Sequence, residues 1–219
     1  MAVSFGKKIS TLVKLIKEPG ILSSLLSLRY SGYLADNGWF ASFNKKAPLD
    51  KDGNPIPWFT YSCNDFIKDR LKNKFDIFEF GSGNSTLFFA PKVKSVTSAE
   101  HSEEWYRIQK NRIPSNVSII FNDDETGGYS KSIANTNNKY EVVVVDGIDR
   151  VSCIINSVDS LKDDGVLILD DSERDEYGKG IAYLAERGFK RIDFWGIAAG
   201  ILFKKCTTIF YKERNCLEI

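Results

Sequence analysis

The sequence predicts an α/β fold in which parallel strands alternate with helices that cover both faces of one sheet. Three observations predict it. The turn Gly81-Ser82-Gly83 ends an apolar, aromatic run and opens a stretch of helix-starting residues. The run Tyr140–Val145 is almost continuously β-branched, as a central strand covered on both faces requires. Between and beyond them, strand-sized apolar runs alternate with amphipathic segments of helix length. At 219 residues the chain suits one domain with a small appendage. Its formal net charge of +1 says little about partners, and the absence of a basic run interleaved with aromatics predicts no nucleic-acid partner. Cys63, Cys153, Cys206 and Cys216 lie far apart without metal-ligand spacing, so they read as reduced thiols of a cytoplasmic protein.

In chain order, residues 1–56 form a helical appendage with its linker, and residues 57–219 the main domain. Ile9, Leu12, Val13 and Ile16 share one helical face, Lys7, Lys8, Lys14 and Lys17 decorate the other, and Pro19-Gly20 breaks the segment. Up to Lys46 there are seven basic residues against Glu18 and Asp36, an excess of +5. Lysines interrupt the apolar runs too early for a membrane span or a signal-peptide core. Two readings stay open: the helices pack on the main domain or on a second copy in a homodimer, or residues 7–28 make peripheral contact with the inner face of an anionic membrane. Residues 44–56 are a polar, proline-punctuated connection. Trp58 and Tyr61, just before a helix over 62–72, either line a substrate pocket or seal the core.

Residues 75–80 form the first strand and end at the glycine turn, where a side chain would obstruct a ligand. Asn84, Ser85 and Thr86 start a short helix that Pro91 stops, and 93–99 form the second strand. Glu100 follows, seventeen residues after Gly83, where a βαβ unit brings a carboxylate beside the turn and within reach of ribose hydroxyls. Thr86 stands where a dinucleotide fingerprint has its third glycine, and Glu79 suits a cationic amine better than a phosphate. Together Glu79-Phe80-Gly81-Ser82-Gly83 and Glu100 resemble the first two motifs of class I S-adenosylmethionine-dependent methyltransferases. The resemblance implies a Rossmann-like, seven-stranded sheet ending in an antiparallel hairpin. It implies that Glu79, Gly81, Ser82, Gly83, Asn84 and Ser85 hold the methionine end of S-adenosylmethionine and Glu100 its ribose, with His101 as a pocket wall.

Ser102 caps the next helix, with Glu103 and Glu104 in its first turn. Val117–Phe121 is the third strand, and by the resemblance Asp123 meets the adenine. The glycine- and asparagine-rich stretch 126–138 reads as a mobile loop that adds little core. Asp146-Gly147 closes the fourth strand, 150–161 form a helix, and 165–169 make a fifth strand ending in Asp170-Asp171. Three carboxylates at one sheet edge need a cation among them, and oxygen ligands suit Mg²⁺ or Ca²⁺, so Asp146, Asp170 and Asp171 are candidate metal ligands; in the alternative without metal, Asp146 contacts the cofactor and Asp170 caps a loop. This arrangement resembles the cation-dependent O-methyltransferases. Where their catechol-type branch has a lysine, three residues after the first Asp, this chain has Asp149, which leaves Asp146 and Asp149 as candidate catalytic carboxylates. A helix over 175–187 and two strands over 189–195 and 207–211 complete the expected hairpin.

The expected function is methyl transfer from S-adenosylmethionine to an oxygen of a small molecule or glycan. The competing readings are an aminopropyl transferase, an NAD or nucleotide-sugar enzyme, and a non-catalytic membrane-associated adaptor.

Overall fold

The computed structural model describes residues 4–124 and 126–219, so Met1–Val3 and the last acid of the 122–125 run, Glu125, lie outside the described residues. Seven strands form one sheet in the order β3-β2-β1-β4-β5-β7-β6: β1 (Asp76–Phe80), β2 (Ser95–Glu100), β3 (Val117–Phe121), β4 (Tyr140–Val145), β5 (Leu161–Asp170), β6 (Lys190–Gly196) and β7 (Lys205–Tyr211). β1 to β5 are parallel, and β7 runs antiparallel to both β5 and β6. The expected seven-stranded sheet with a terminal antiparallel pair is therefore present. Strand order reverses between β1 and β4, which opens a crevice outside their carboxyl ends.

Among the described residues there are ten α-helices: α1 (Phe5–Lys17), α2 (Pro19–Ser27), α3 (Tyr33–Asp36), α4 (Trp39–Lys45), α5 (Tyr61–Lys68), α6 (Asn84–Phe89), α7 (Glu103–Lys110), α8 (Gly128–Asn135), α9 (Arg150–Ser157) and α10 (Gly178–Glu186). Side chains alternate across each strand, so one set of positions feeds each of two cores. Ile77, Val142, Val144, Ile168 and Ile209 pack with Cys63 and Ile67 of α5 and Phe88 and Phe89 of α6. Phe78, Phe80, Val143, Val145 and Leu169 pack with Tyr129 and Ile133 of α8, Ile154 of α9 and Leu184 of α10. Each fully buried large side chain contributes about 1.5–3 kcal/mol of transfer free energy, so the two cores carry most of the fold's stability.

The stretch expected to be a mobile loop contains α8, whose Tyr129 and Ile133 are completely buried. Glycine, serine and asparagine are weak helix formers, but two large apolar residues at i and i+4 give this helix one anchored face. α9 stops at Ser157, and β5 starts at Leu161, earlier than expected, pairing with Tyr140 before a register shift that precedes Val166.

Packing does not break at residue 56. Trp39 and Ile56 belong to the same core as Phe59, the Trp39 indole donates to the Ile201 carbonyl at 3.0 Å, and Asn84 donates to the Pro48 carbonyl at 2.7 Å. By contrast α1 and α2 bury no residue.

Candidate functional site

The crevice at the β1/β4 reversal holds a cavity of about 640 Å³, lined from one side by Gly81–Ser85 and from the other by Asp146, Asp170 and Asp171. Two glycines at the strand ends pack closely beside it. Gly81 has φ +93°, and a Cβ there would stand 3.3 Å from the Asp146 carbonyl and from Gly147. A Cβ on Gly147 would overlap the Tyr129 hydroxyl, which α8 inserts beneath the turn. Gly83 differs: its backbone is extended, at φ 175°, and nothing lies within 4 Å of where its Cβ would be. It lines the cavity and leaves open space of side-chain size, a cradle for a ligand.

Of the residues expected to hold a cofactor, Gly81, Ser82, Gly83, Asn84, Ser85 and Asp146 line this cavity, whereas Glu79, Glu100, His101 and Asp123 do not. Glu79 is fully buried, because strand alternation turns it away from Phe78 and Phe80 and under the first turn of α6. There its Oε2 accepts from Thr86 Oγ1 at 2.5 Å and Ser98 Oγ at 3.1 Å, while Oε1 has no partner. Thr86, in the place of a third glycine, thereby ties the turn to it. Burial pushes the Glu79 carboxyl up to about 7, against the hydrogen bonds that favour its charged form.

Glu100 is also buried. Its Oε2 accepts from the Ser82 N–H at 3.0 Å and Ser82 Oγ at 2.8 Å, and its Oε1 from the Ser102 N–H at 2.9 Å. The carboxylate thereby braces the glycine turn. The imidazole of His101 lies edge-on to Tyr129, with Nδ1 3.3 Å from Glu100 Oε1. Asp123 is exposed on the loop after β3. Asp149, in the left-handed region at φ 44°, is exposed at the start of α9 and lines a separate shallow cavity, not the one at the β1/β4 reversal.

The three acids at the strand ends are neutralised by the chain itself. Lys205 Nζ lies 2.5 Å from Asp170 and 2.7 Å from Asp171, and its third proton goes to the Trp58 carbonyl at 3.2 Å. Arg150 lies 3.1 Å from Asp146 and 3.5 Å from Asp171, and Arg174 lies 2.6 Å from Asp171. Thr207 completes the shell of Asp170 with a 2.7 Å hydrogen bond. A divalent cation here would have to displace an ammonium and two guanidinium groups from a buried network. The described residues contain no group of three or more His, Cys, Asp and Glu side chains that could hold a metal ion. The expectation of Mg²⁺ on Asp146, Asp170 and Asp171 therefore does not fit this site.

The network separates the acids. Although burial opposes it, Lys205, Arg150 and Arg174 hold the Asp171 carboxyl below the usual carboxylate range. Burial, then the nearby Asp170 charge, push Asp146 up to about 8, and Arg150 only partly offsets them. Asp146 thus reaches the cavity as a carboxyl of weakened acidity beside Arg150.

Sequence reasoning missed Lys205, Arg150, Arg174, Tyr129 and Trp105, whose indole N–H donates to the Ser82 carbonyl at the cavity wall. Lys205 was legible in part: strand alternation places it on the face of Thr207 and Ile209, one step before an apolar run. Trp58 lines the cavity, whereas Tyr61 is buried in the core.

No family model matches this sequence, and no curated protein matches it. Solved structures do. An rRNA methylase from Streptococcus thermophilus is 17% identical over 69% of this chain and 95% of its own, with a TM-score of 0.53. Precorrin-6y C5,15-methyltransferase from Geobacter metallireducens is 13% identical over 76% of this chain and 98% of its own, with a TM-score of 0.56. A Staphylococcus aureus protein assigned as a caffeoyl-CoA O-methyltransferase is 16% identical over 90% of this chain and 99% of its own, with a TM-score of 0.54. The fold is that of the class I S-adenosylmethionine-dependent methyltransferases. The acceptors in these names range from ribosomal RNA to small molecules, so the fold alone does not choose one.

Proposed function

We propose, on a fold shared with class I S-adenosylmethionine-dependent methyltransferases, that this chain transfers a methyl group to an oxygen of a small-molecule or glycan acceptor. One observation carries the reading: the open cradle at Gly83 and the weakly acidic Asp146 line one cavity at the point where strand order reverses. S-adenosylmethionine supplies an electrophilic methyl group on a sulfonium. The Gly81–Ser85 turn holds the methionine end, with its backbone exposed by the two glycines. Asp146, as the carboxylate, takes the proton that the acceptor hydroxyl gives up as its oxygen gains the methyl group. Trp58 and Trp105 wall the cavity and exclude water from the reacting atoms. Lys205 and Arg150 hold the acids in place, and no step requires a metal.

Isothermal titration with S-adenosylhomocysteine tests the reading. Wild-type protein is expected to bind at micromolar concentration. Gly83→Val is expected to keep its melting temperature, since its extended backbone accepts valine, but to lose at least about tenfold in affinity because the cradle is filled. A flat titration of folded wild-type protein would overturn the proposal, and binding of NAD in its place would favour a dinucleotide enzyme.

A further inference from the structure

We infer that the N-terminal helical pair docks on an anionic bilayer surface, lying in the interface with the apolar stripe of α1 toward the acyl chains. α1 is thirteen residues long and buries none of them. Phe5, Ile9, Leu12, Val13 and Ile16 recur at helical spacing along one face and are 48–79% exposed, and α2 adds exposed Ile21, Leu25 and Leu26. A soluble protein rarely leaves so long an apolar stripe uncovered without a partner for it.

The charges say what the partner is. Lys7 and Lys14 occupy the opposite face of α1, and Lys8 and Lys17 flank the stripe on its two sides. Among the described residues none of these four lysines forms an ion pair, and the single acid before Asp36 is Glu18. A second copy packed on this stripe would bring lysines near lysines with almost no acid to answer them. Lipid phosphates answer them directly, and lysine stems reach from the flank of an interfacial helix to headgroup level while the apolar face goes deeper. Exposed Tyr30 and Tyr33 just beyond α2 suit the same boundary, where an aromatic body and a polar tip are both satisfied. No helix among the described residues is long and apolar enough to cross a membrane, so α1 lies on the surface. This inference stands apart from the methyl-transfer reading, since it uses no residue of the cleft.

The test is sedimentation of the full chain with phosphatidylcholine vesicles, pure or containing about 30% phosphatidylglycerol. The protein is expected to pellet with the anionic vesicles, to stay in solution with the neutral ones, and to be released by high salt. Leu12→Glu/Ile16→Glu is expected to lower the partition coefficient by more than about tenfold. Replacing Lys7, Lys8, Lys14 and Lys17 by Gln is expected to lower it by on the order of several hundredfold, each lysine being worth roughly fivefold. Both variants change residues that bury nothing in the domain, so their melting temperatures serve as the folding control. Equal supernatant fractions with both vesicle types would overturn the inference. So would a wild-type dimer by light scattering that Leu12→Glu/Ile16→Glu dissociates while neither protein pellets, which would give the stripe to a second copy.

Discussion

Burial raises the carboxyls of both Glu79 and Asp146, and their surroundings make them behave differently. Glu79 sits dry beneath α6, with one oxygen unpartnered. Its folded pKa of about 7 lies above the ordinary 4.5, so the native state holds a proton that the unfolded chain releases. That contribution to stability is fully present below about 4.5 and is lost as pH rises through about 7. Glu79→Gln removes the titration, and the wild-type minus variant stability is expected to fall by on the order of 2–3 kcal/mol between pH 4.5 and pH 8 in urea unfolding. An unchanged difference across that range would show that Glu79 does not titrate there. Asp146 faces the cavity, so its proton is read in catalysis. With a methylatable acceptor, kcat/KM is expected to rise with pH to a plateau above about 8 in the wild type. Asp146→Asn is expected to lower kcat by 10²–10⁴-fold, to flatten the profile, and to leave S-adenosylhomocysteine affinity within about threefold. Excess EDTA is expected to leave the wild-type rate unchanged, because Lys205, Arg150 and Arg174 already meet the acids.

At the scale of elements, legibility followed patterning. Val117–Phe121 and Tyr140–Val145 were readable to the residue because β-branched runs have few other uses. α8 was not readable, because Gly127, Gly128 and Asn135 argue for a loop and only Tyr129 and Ile133 argue against it. Tertiary packing decides such cases, and here it decides strongly, since Tyr129 fills the space beside Gly147 at the end of β4. Tyr129→Ala is expected to cost about 3–5 kcal/mol by chemical denaturation, as for other large buried aromatics, and to weaken ligand binding by loosening the turn above it. A cost below about 1 kcal/mol would mean that α8 is not anchored by this ring. The acid–base network at β5 and β7 was hidden for another reason: Lys205 and Asp170 are 35 residues apart and meet only through antiparallel pairing whose register no local pattern carries. Likewise, alternation in 78–80 says that Glu79 faces away from its neighbours but not which face the crevice takes.

Across the whole molecule, the composition break near residue 56 and the packing break do not coincide. Asn44 onward reads as a linker because it is polar and rich in proline, yet Ser42 hydrogen-bonds both the carbonyl and the N–H of Leu49, at 2.8 and 3.0 Å, and folds the segment back on α4. Trp39 then enters the core shared with α5 and α6, so residues 39–56 cover one end of the sheet and supply Lys46 to Leu49 as a wall of the cavity. The physical boundary consequently lies between α2 and α4, where buried residues begin. Two truncations separate the alternatives. Removing residues 1–31 takes away no fully buried side chain among those described, and is expected to change unfolding free energy by less than about 0.5 kcal/mol and leave S-adenosylhomocysteine binding intact. Removing residues 1–56 deletes Trp39 and Ile56 from the core and is expected to cost more than about 4 kcal/mol, enough to leave a domain of ordinary stability largely unfolded. If the longer truncation instead folded and bound ligand like the full chain, the cavity wall at 46–49 would have to be dispensable, and the methyl donor and its acceptor would both be held by the strand ends alone.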